Sequence, residues 1–458
     1  MKRLTALQVY GYLPKKNCAK CGEDTCMAFA IKLLEREKKP ADCPEFGPGE
    51  LEKLVEATTP PVRDVVMGGG KSALTLGGEE VMYRHELRFF NPTALMLDVS
   101  DLMDDKEIKS RVDLVNNFEF ERIGEKLRLD GISIRAASGD AGKFKKAVEI
   151  VAREFKGPLV LCSFSPEVLQ AGAEAVKGRR PLLYAANAKN WEKMLAIAKE
   201  FDCPLAVHSM DLSELGTIAG NISATGFKNL VLDPGIEPNG AGLARTLDNL
   251  TQLRKAALHR VEEIRYPLMG STIPVWQSSK DETQAALYES NLVAMLLDRF
   301  LSLIVFHSTE AWSFLTSVVL KQNIYTDPRV EPSTEPKLYE INSPDENSPV
   351  FITSNFALTY FNVAGDLENM KFPCYLLVVD TEGLAVTVAL AADKLNPSAI
   401  KKALKDNKVA EKVKHKKLIL PGVLARISGA IEDATGWEVL IGPQDSSMIG
   451  SFLKDNWK

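Results

Sequence analysis

Between residues 93 and 309 the chain alternates eight times between a short apolar segment and a segment with helical periodicity. The apolar segments are 93–100, 131–138, 158–164, 181–187, 204–210, 230–235, 266–276 and 303–309. Such alternation is typical of βα units with parallel strands. Eight units in about 230 residues match the size of a (β/α)8 TIM barrel, which we predict for this region. A doubly wound sheet is the rival, but it rarely needs eight equal repeats.

Five polar residues lie at the ends of the predicted barrel strands: Asp98, Asn187, His208, Asp233 and His307. The carboxyl ends of barrel strands form the face on which barrel enzymes carry out their chemistry. The five residues make no recognisable triad, metal spacing or carboxylate pair. Capping of the following helices, or filling of the barrel mouth, therefore stays open beside a functional role.

Residues 68–72, Gly-Gly-Gly-Lys-Ser, imitate the end of a phosphate-binding loop. That motif needs a glycine at position 65, where this chain has Val65, and a helix after the serine. Residues 73–78 instead have the pattern of a strand followed by a turn, so we predict a β-hairpin here.

Four of the seven cysteines lie near the N-terminus, at Cys18, Cys21, Cys26 and Cys43. The other three stand in apolar runs and are expected to be buried thiols: Cys162, Cys203 and Cys374. No apolar signal segment precedes these four cysteines, so we expect a cytoplasmic protein. Because structural disulfides are rare in the cytoplasm, we expect the four cysteines to bind a metal. Structural zinc sites usually pair their ligands in two C-x2-C units, whereas three close thiolates and a later Cys-Pro favour a [4Fe–4S] cluster. Zinc remains the alternative.

Composition excludes two classes of partner. Lys plus Arg number 56 and Asp plus Glu 61, a net charge of −5, so no general basic field predicts nucleic-acid binding. No apolar run approaches the roughly 18 residues that a membrane span requires, so we predict no membrane partner.

A second α/β region follows the proline-rich stretch 326–349, which we predict to be a linker. Its strands are predicted at 350–354, 374–380, 417–420 and 437–442, and ligands of such open sheets bind at the carboxyl ends of the strands. Those ends carry small, hydroxylic or glycine residues: Thr353, Thr359, Thr381, Gly383, Gly422, Gly442 and Ser446. This lining suits a large, flat, mostly uncharged ligand, although ordinary turn chemistry would also explain it. His415, in a lysine-rich run, is expected on the solvated surface.

These observations predict three domains. Residues 1–60 form a metal-binding module, residues 61–325 form the barrel domain, and residues 326–458 form the C-terminal open α/β domain. Residues Pro60 and Pro61 provide a second linker, between the first two domains.

Six segments together are similar to one family. They are LPKKNCAKCGEDTCMAFA, VMYRHELRFFNPTA, LVLDPG, NSPVFITSNFALTYF, VDTEGLAV and GWEVLIGP. The chain resembles the large (gamma) subunit family of the corrinoid/iron–sulfur protein of acetyl-CoA decarbonylase/synthase, over essentially its whole length. The first motif alone would imply only a related iron–sulfur module, and its combination with the barrel and VDTEGLAV makes the resemblance specific. The second segment leans toward the archaeal branch of the family.

The resemblance implies two cofactors. Carried over by position, Cys18, Cys21, Cys26 and Cys43 would ligate a [4Fe–4S] cluster. Contacts to a corrinoid, a cobamide, would come from Thr353, Thr359, Thr381, Gly383, Leu384, Ala385, Val386 and Ser446. Many corrinoid methyltransferases bind cobalt through the histidine of a D-x-H-x-x-G loop, a pattern that this sequence lacks. We therefore expect a cobalt without a protein histidine ligand, because such a ligand would make reduction to Co(I) harder.

The resemblance also implies the activity of a methyltransferase and methyl carrier. Cob(I)amide would accept a methyl group from a methyl-tetrahydropterin, of the methanopterin, sarcinapterin or folate type. Methyl-Co(III) would pass the group to acetyl-CoA synthase, or the reverse in acetyl-CoA cleavage. The cluster would reactivate Co(II) to Co(I), and no side chain of this chain would be catalytic. Implied partners are the small (delta) subunit, acetyl-CoA synthase, and the pterin donor or its methyltransferase. The barrel would mostly support the small subunit, and the last domain would swing between partners.

Two other functions stay open. One is a pterin-binding barrel methyltransferase with an attached iron–sulfur module, in which Asp98, Asn187 and Asp233 would contact the pterin. The other is a non-catalytic electron-transfer subunit whose last domain serves only for docking.

Overall fold

A computed structural model describes residues 4–47 and 49–457. The chain divides into two compact units. One holds the residues up to 120 together with 127–327, and the other holds residues 121–126 together with the chain from 328 onward.

The N-terminal region contains three short helices, α1 (Ala6–Tyr12), α2 (Cys26–Leu34) and α3 (Glu50–Thr58), and a 3-10 turn at Pro40–Asp42. Thr5 and Gln8 begin α1 with a reciprocal capping box. Thr25 accepts a hydrogen bond from the Ala28 amide at the start of α2. The apolar faces of the three helices meet in a small core, Val9, Leu13, Phe29, Ala30, Leu33, Cys43 and Leu54. This core holds the loop that carries the first cysteines.

The predicted hairpin at residues 68–72 is confirmed. Strands β1 (Asp64–Met67) and β2 (Leu74–Gly77) pair antiparallel around a 3-10 turn at Gly70–Ser72. Gly68 has a φ of +75°, and a Cβ there would lie 2.4 Å from the Ser72 carbonyl oxygen, so the turn requires glycine. The hairpin bonds to backbone that leads into two barrel strands, with the Gly68 amide donating to the Arg180 carbonyl.

The predicted barrel is confirmed. The strands from 94 to 306 are β3 (Ala94–Ser100), β4 (Phe120–Arg122), β5 (Glu125–Leu127), β6 (Gly131–Arg135), β7 (Leu159–Cys162), β8 (Leu182–Ala186), β9 (Leu205–His208), β10 (Leu230–Asp233), β11 (Leu268–Ser271) and β12 (Leu301–Phe306). Strands β4 and β5 pair with each other, and the remaining eight form a closed barrel in chain order, with β12 beside β3. All barrel pairs are parallel.

The helices of this region are α4 (Asp105–Asn117), α5 (Ala141–Glu154), α6 (Pro166–Ala175), α7 (Trp191–Glu200), α8 (Leu212–Ala224), α9 (Gly240–Leu258), α10 (Ile273–Ser278), α11 (Glu282–Leu297) and α12 (Ala311–Tyr325). Residues 273–276, predicted as strand, begin α10, because Pro274 in the first turn favours a helix start over a ladder position. In the described part of the chain, no helix is long and apolar enough to cross a membrane.

The barrel has an inner and an outer core. The outer core packs the strands against the helices. In the inner core, three hairpin side chains, Val65, Met67 and Leu76, join inward-facing strand residues such as Met96 and Val231. The hairpin therefore closes the N-terminal end of the barrel, and the C-terminal end is the one that carries polar groups.

The second unit contains a five-stranded sheet. Its strands are β13 (Leu338–Ile341), β14 (Val350–Ser354), β15 (Cys374–Val379), β16 (Lys417–Leu420) and β17 (Glu438–Ile441), in the order β13-β15-β14-β16-β17. Its helices are α13 (Ala357–Asn369), α14 (Val386–Ala391), α15 (Pro397–Asp406), α16 (Val409–Lys412), α17 (Ser428–Thr435) and α18 (Ile449–Asn456), with 3-10 turns at Gly422–Ile427 and Ser446–Met448. Strands β14 to β17 are parallel, as the predicted open α/β domain requires.

The stretch 326–349, predicted as a linker, contains structure that the prediction missed. Strand β13 pairs antiparallel with β15 and closes one edge of the sheet. Upstream of it, Ser333 forms a bridge with Phe356, and the Ala357 amide donates to the Pro332 carbonyl. The many prolines obscured a strand of four residues, because an edge strand needs ladder bonds on one side only.

Candidate cofactor sites

The four N-terminal cysteines surround one recess. Cys18, Cys21, Cys26 and Cys43 all line a space of about 310 Å³ beside Phe29. Cys26 is the first residue of α2, while Cys43 follows the 3-10 turn and is buried. Three thiols from one loop and a fourth from a later turn thus meet in the same small volume.

The backbone of the cysteine loop turns repeatedly. Lys15, Asn17, Ala19 and Gly22 all have positive φ, between +45° and +86°. For residues other than glycine this conformation costs free energy, so the rest of the module must hold the loop in this shape. The Asn17 side-chain oxygen accepts a hydrogen bond from the Cys26 amide, which fixes the loop to the start of α2.

The four thiols line one recess, as a metal centre with four cysteine ligands requires. Within residues 4–47 and 49–457, no three His, Cys, Asp or Glu side chains are already grouped so as to hold one metal ion.

Charges around the recess are locally balanced. Burial raises the pKa of the Cys43 thiol, and the thiolates of Cys21, Cys26 and Cys18 raise it further. Bound metal would counter both effects, because thiolate ligation releases the protons. On the rim, Glu45 accepts from Lys16 at 2.8 Å and from Lys20 at 2.6 Å, and these hydrogen bonds lower the pKa of Glu45 to about 2.

A larger recess, of about 910 Å³, opens at the carboxyl ends of the strands in the second unit. Five of the eight predicted contact residues line it: Thr353, Thr359, Ala385, Val386 and Ser446. Its other lining includes Asn362, Gln444 and the apolar side chains of Phe351, Ile419 and Leu420. The lining contains no charged side chain among the described residues, as expected for a large neutral ligand.

One polar atom in this recess has no partner among the described residues. Thr353 is 1% exposed, and its Oγ1 has no hydrogen bond. A buried hydroxyl left without a partner costs about 1–3 kcal/mol, so it is usually satisfied by something else. The Ser446 hydroxyl, by contrast, donates to Asp366. The unpartnered Thr353 hydroxyl therefore indicates that a ligand supplies a polar group here.

Two glycines let neighbouring loops approach at the rim. A Cβ on Gly442 would lie 2.9 Å from the Leu420 carbonyl oxygen, and one on Gly422 would lie 2.9 Å from the Gly442 carbonyl oxygen. Any side chain would force the loops after β16 and β17 apart. The close approach of these loops determines the shape of the recess.

The other three predicted contacts, Thr381, Gly383 and Leu384, lie in the loop after β15 but do not line the recess. Asn355, which the sequence analysis missed, holds this loop. Its Oδ1 accepts from the Thr381 amide, the Thr381 hydroxyl and the Gly383 amide at 2.8–3.0 Å. Its Nδ2 donates to Asp380 at 3.3 Å. Asn355 thereby positions Ala385 and Val386; an asparagine directly after a predicted strand was the available signal.

His415 is only partly exposed, so the prediction of a fully solvated residue is wrong. It is half-buried, its Nε2 lies 2.9 Å from the Ser348 carbonyl oxygen, and its ring packs edge-on against Trp457. The lysines beside it in sequence concealed this packing. His415 is not among the residues lining the 910 Å³ recess.

The C-terminal mouth of the barrel contains a buried ionic network around Asp98. His307 Nδ1 lies 2.9 Å from Asp98 Oδ2, and Arg135 binds both oxygens of the same carboxylate. Burial raises the pKa of Asp98, but the hydrogen bonds from His307 and Arg135 hold it below its usual value. Arg111, on α4, donates to the Asp98 and His307 carbonyl oxygens. Arginines on the neighbouring strand and helix were not predicted.

A second network surrounds Asp233. Tyr184 Oη donates to Asp233 Oδ2 at 2.7 Å, the Gly235 amide donates to Oδ1, and His208 Nδ1 lies 3.2 Å from Oδ2. Burial and the neighbouring Asp233 raise the pKa of Tyr184, so the phenol stays protonated. The structure thus groups four of the five strand-end residues into two Asp–His pairs. Asn187, the fifth, caps its own turn by accepting from the Lys189 amide.

Comparison with known proteins finds two matching family models and relatives over the full chain. The family model described as "CO dehydrogenase/acetyl-CoA synthase delta subunit" matches residues 64–453, and one described as "Putative Fe-S cluster" matches residues 13–45. The chain is 42% identical to the acetyl-CoA decarbonylase/synthase complex subunit gamma of Methanopyrus kandleri, covering 99% of this chain and 98% of that one. It is 40% identical to the subunit of the same name in Archaeoglobus fulgidus, covering 100% and 99%.

Among solved structures, a dihydropteroate synthase from Xanthomonas albilineans matches with a TM-score of 0.40 and 15% identity. The match covers 54% of this chain and 99% of that one.

Proposed function

We propose that this chain, which belongs to the family of acetyl-CoA decarbonylase/synthase complex gamma subunits, carries methyl groups on a corrinoid in the 910 Å³ recess. An N-terminal [4Fe–4S] cluster would keep the corrinoid active. The family resemblance inferred from the sequence motifs is confirmed by relatives of about 40% identity over the full chain. The methyl-carrier activity is the proposal that follows from it.

The neutral recess supports corrinoid binding. When bound, a corrinoid supplies the cobalt centre on which a methyl group is carried. The residues of this chain would hold it by shape, through the close loops at Gly422 and Gly442 and the apolar wall of Ala385 and Val386. The unpartnered Thr353 hydroxyl would bond to one of its polar groups. Neutral hydroxyls and backbone amides suit the amide groups of such a macrocycle.

The cysteine recess supports the cluster. When bound, a low-potential iron–sulfur cluster supplies single electrons. Cys18, Cys21, Cys26 and Cys43, which line this recess, would hold it. Phe29, beneath the recess, would limit access of water, a property that also tunes the potential.

The partners follow from the relatives, which are named as subunits of a complex. We propose that this chain assembles with the small (delta) subunit and exchanges methyl groups between a methyl-tetrahydropterin and acetyl-CoA synthase. It would act as a methyltransferase toward its own corrinoid. The protein would work inside the cell, where thiolates stay reduced.

The observation that carries the proposal is the large uncharged recess with a buried hydroxyl that lacks a partner. Iron and cobalt analysis of anaerobically purified protein, with a visible spectrum, tests it. We expect about four irons and one cobalt per chain. The variant Cys18→Ala should lose iron and the reactivation of oxidised corrinoid, yet keep cobalt. Protein that contains neither metal would refute the proposal.

A further inference from the structure

The two Asp–His pairs at the barrel mouth differ at both imidazole nitrogens. His307 Nδ1 is hydrogen-bonded to Asp98, whereas His208 Nδ1 lies 3.2 Å from Asp233 without hydrogen-bond geometry. The nitrogens on the other side of the two rings differ as well. Both pairs set a buried carboxylate against Nδ1 of a histidine at the end of a barrel strand. In such a pair the carboxylate orients the ring, and Nε2 faces away from it. Whether Nε2 can serve a ligand depends on what else it contacts.

His307 is closed to ligands. Its Nε2 lies 3.3 Å from Nη2 of Arg111. A guanidinium only donates hydrogen bonds, so Nε2 of His307 accepts in this contact. Both ring nitrogens of His307 are therefore in contact with protein groups.

His208 is open. Its Nδ1 faces Asp233, and none of the described residues hydrogen-bonds its Nε2. Its side chain is 24% exposed at the barrel mouth. Asp233 is buried and held by Tyr184 and the Gly235 amide, which makes it a rigid support for the imidazole.

An aromatic wall stands beside this nitrogen. The Phe164 and Tyr184 rings have centroids 5.7 Å and 6.0 Å from that of His208. Phe164 is 51% exposed, and Met210, two residues beyond His208, is 54% exposed. Large apolar side chains exposed around one hydrogen-bonding group favour a flat ligand that stacks and accepts a hydrogen bond.

We propose that His208 is the proton donor to a planar nitrogen heterocycle bound at the barrel mouth, and that this heterocycle is the N-methyl donor. The inference rests on the proposed function. The N–CH3 bond breaks, its electron pair stays on nitrogen, and the proton on Nε2 of His208 moves to that nitrogen. The methyl group goes to the nucleophile of the proposed carrier, and His208 regains its proton from water. An amine leaves readily only when protonated, so a positioned acid accelerates the step.

The charge state of His208 fits this role. Burial lowers the pKa of His208, but the hydrogen bond and charge of Asp233 outweigh it and raise the pKa above the usual 6.5. Of the titratable groups on the adjoining strands, Asp233 is the carboxylate and Tyr184 stays protonated. Methyl transfer from an N-methyl donor should therefore be supported at neutral pH and fall as the pH rises through this raised value.

The variant His208→Gln tests the proposal in the complete cobalt-containing protein. We expect about 100-fold slower methyl transfer from methyl-tetrahydropterin, the size expected for the loss of a general acid. Transfer from methyl iodide should be unchanged, because iodide leaves without a proton. His259→Gln, at an exposed histidine, is the matched control and should leave both rates unchanged. Equal losses with both donors, or with neither, would overturn the role of His208.

A binding measurement needs no cofactor. Calorimetry of methyl-tetrahydropterin with metal-free full-length protein, in two buffers of different ionisation enthalpy, reports proton uptake. At a pH above the raised pKa of His208, we expect uptake by the wild type and none by His208→Gln. Absence of binding, or equal uptake by both proteins, would overturn the site, while cobalt analysis would still test the carrier function separately.

Discussion

The cysteine recess and the C-terminal recess hold their ligands by opposite means. At the first, the four thiol side chains would form every bond to the ligand, and the recess is only about 310 Å³. At the second, about 910 Å³ is enclosed mainly by loop shape, small side chains and a few hydroxyls. A site made of side-chain ligands fails when one ligand is lost. A site made of shape weakens in steps, and the predictions below test that difference.

The largest effect should come from Cys26→Ala. This change removes one of four ligands and should reduce the iron content to near zero, because incomplete cubanes are lost rather than held weakly. Cobalt content should stay at the wild-type level. Cys203→Ala, which removes a buried thiol far along the chain, is the matched control and should retain iron. Iron retained in Cys26→Ala would show that the two sites do not differ in this way.

The next effect should come from Asn355→Leu. This change leaves the Thr381 and Gly383 amides without their acceptor, at a cost of about 1–3 kcal/mol for each group that stays buried, while the Thr381 hydroxyl can still donate to the Leu384 carbonyl. Both the free energy of unfolding of the protein and its corrinoid affinity should fall. Asn355→Asp keeps the acceptor oxygen but places a second carboxylate beside Asp380. Its stability and corrinoid affinity should therefore lie between those of the wild type and those of Asn355→Leu. Chemical denaturation and titration with a cobinamide measure these effects, and unchanged affinity in Asn355→Leu would contradict the positioning role.

A smaller effect, with opposite signs, is expected for Thr353→Val. Removing a buried hydroxyl without a partner should stabilise the ligand-free protein by about 1 kcal/mol. The same change should weaken corrinoid binding about fivefold, because the ligand loses one hydrogen bond. Ser317→Ala removes another unpartnered buried hydroxyl, on α12, and should change stability alone. A loss of stability in ligand-free Thr353→Val would contradict the assignment.

The smallest effect should come from Glu45→Gln at the rim of the cysteine recess. Lys16 and Lys20 lower the pKa of Glu45 to about 2, so its contribution to stability is present above pH 4.5 and is lost as the pH falls through 2. The Lys16 and Lys20 side chains are exposed, and ion pairs of this kind contribute little, so we expect a slight difference from the wild type at neutral pH. Added salt should remove it. Thermal unfolding at two salt concentrations is the measurement, and the C-terminal recess, with its neutral lining, should show no such salt dependence.

This contrast also explains how much the sequence revealed. The spacing of Cys18, Cys21, Cys26 and Cys43 predicted one metal centre, because ligand identity is written directly in side chains. The same holds for the barrel, whose eight alternations follow from the hydrophobic pattern alone. At the C-terminal recess the sequence predicted the edge of the sheet and the character of its lining.

The sequence could not show which loop residues line the recess and which hold the loop in place. Thr381 and Gly383 stood among the predicted contacts, yet their hydrogen bonds go to Asn355, and the cavity is lined by Ala385 and Val386 instead. Arg111 and Arg135 were also missed at the barrel mouth. Their roles depend on which strand and helix lie beside Asp98, and single-residue patterns carry no record of spatial neighbours.

The hairpin β1–β2 has a consequence for how the barrel can work. Val65, Met67 and Leu76 cover one end of the barrel, and strand side chains fill its interior, so no ligand can pass through it. A ligand that binds beside His208 must enter and leave through the C-terminal mouth of the barrel. A spent molecule would then have to vacate before a fresh one enters, so accumulation of the demethylated form should slow turnover by competing for the same opening.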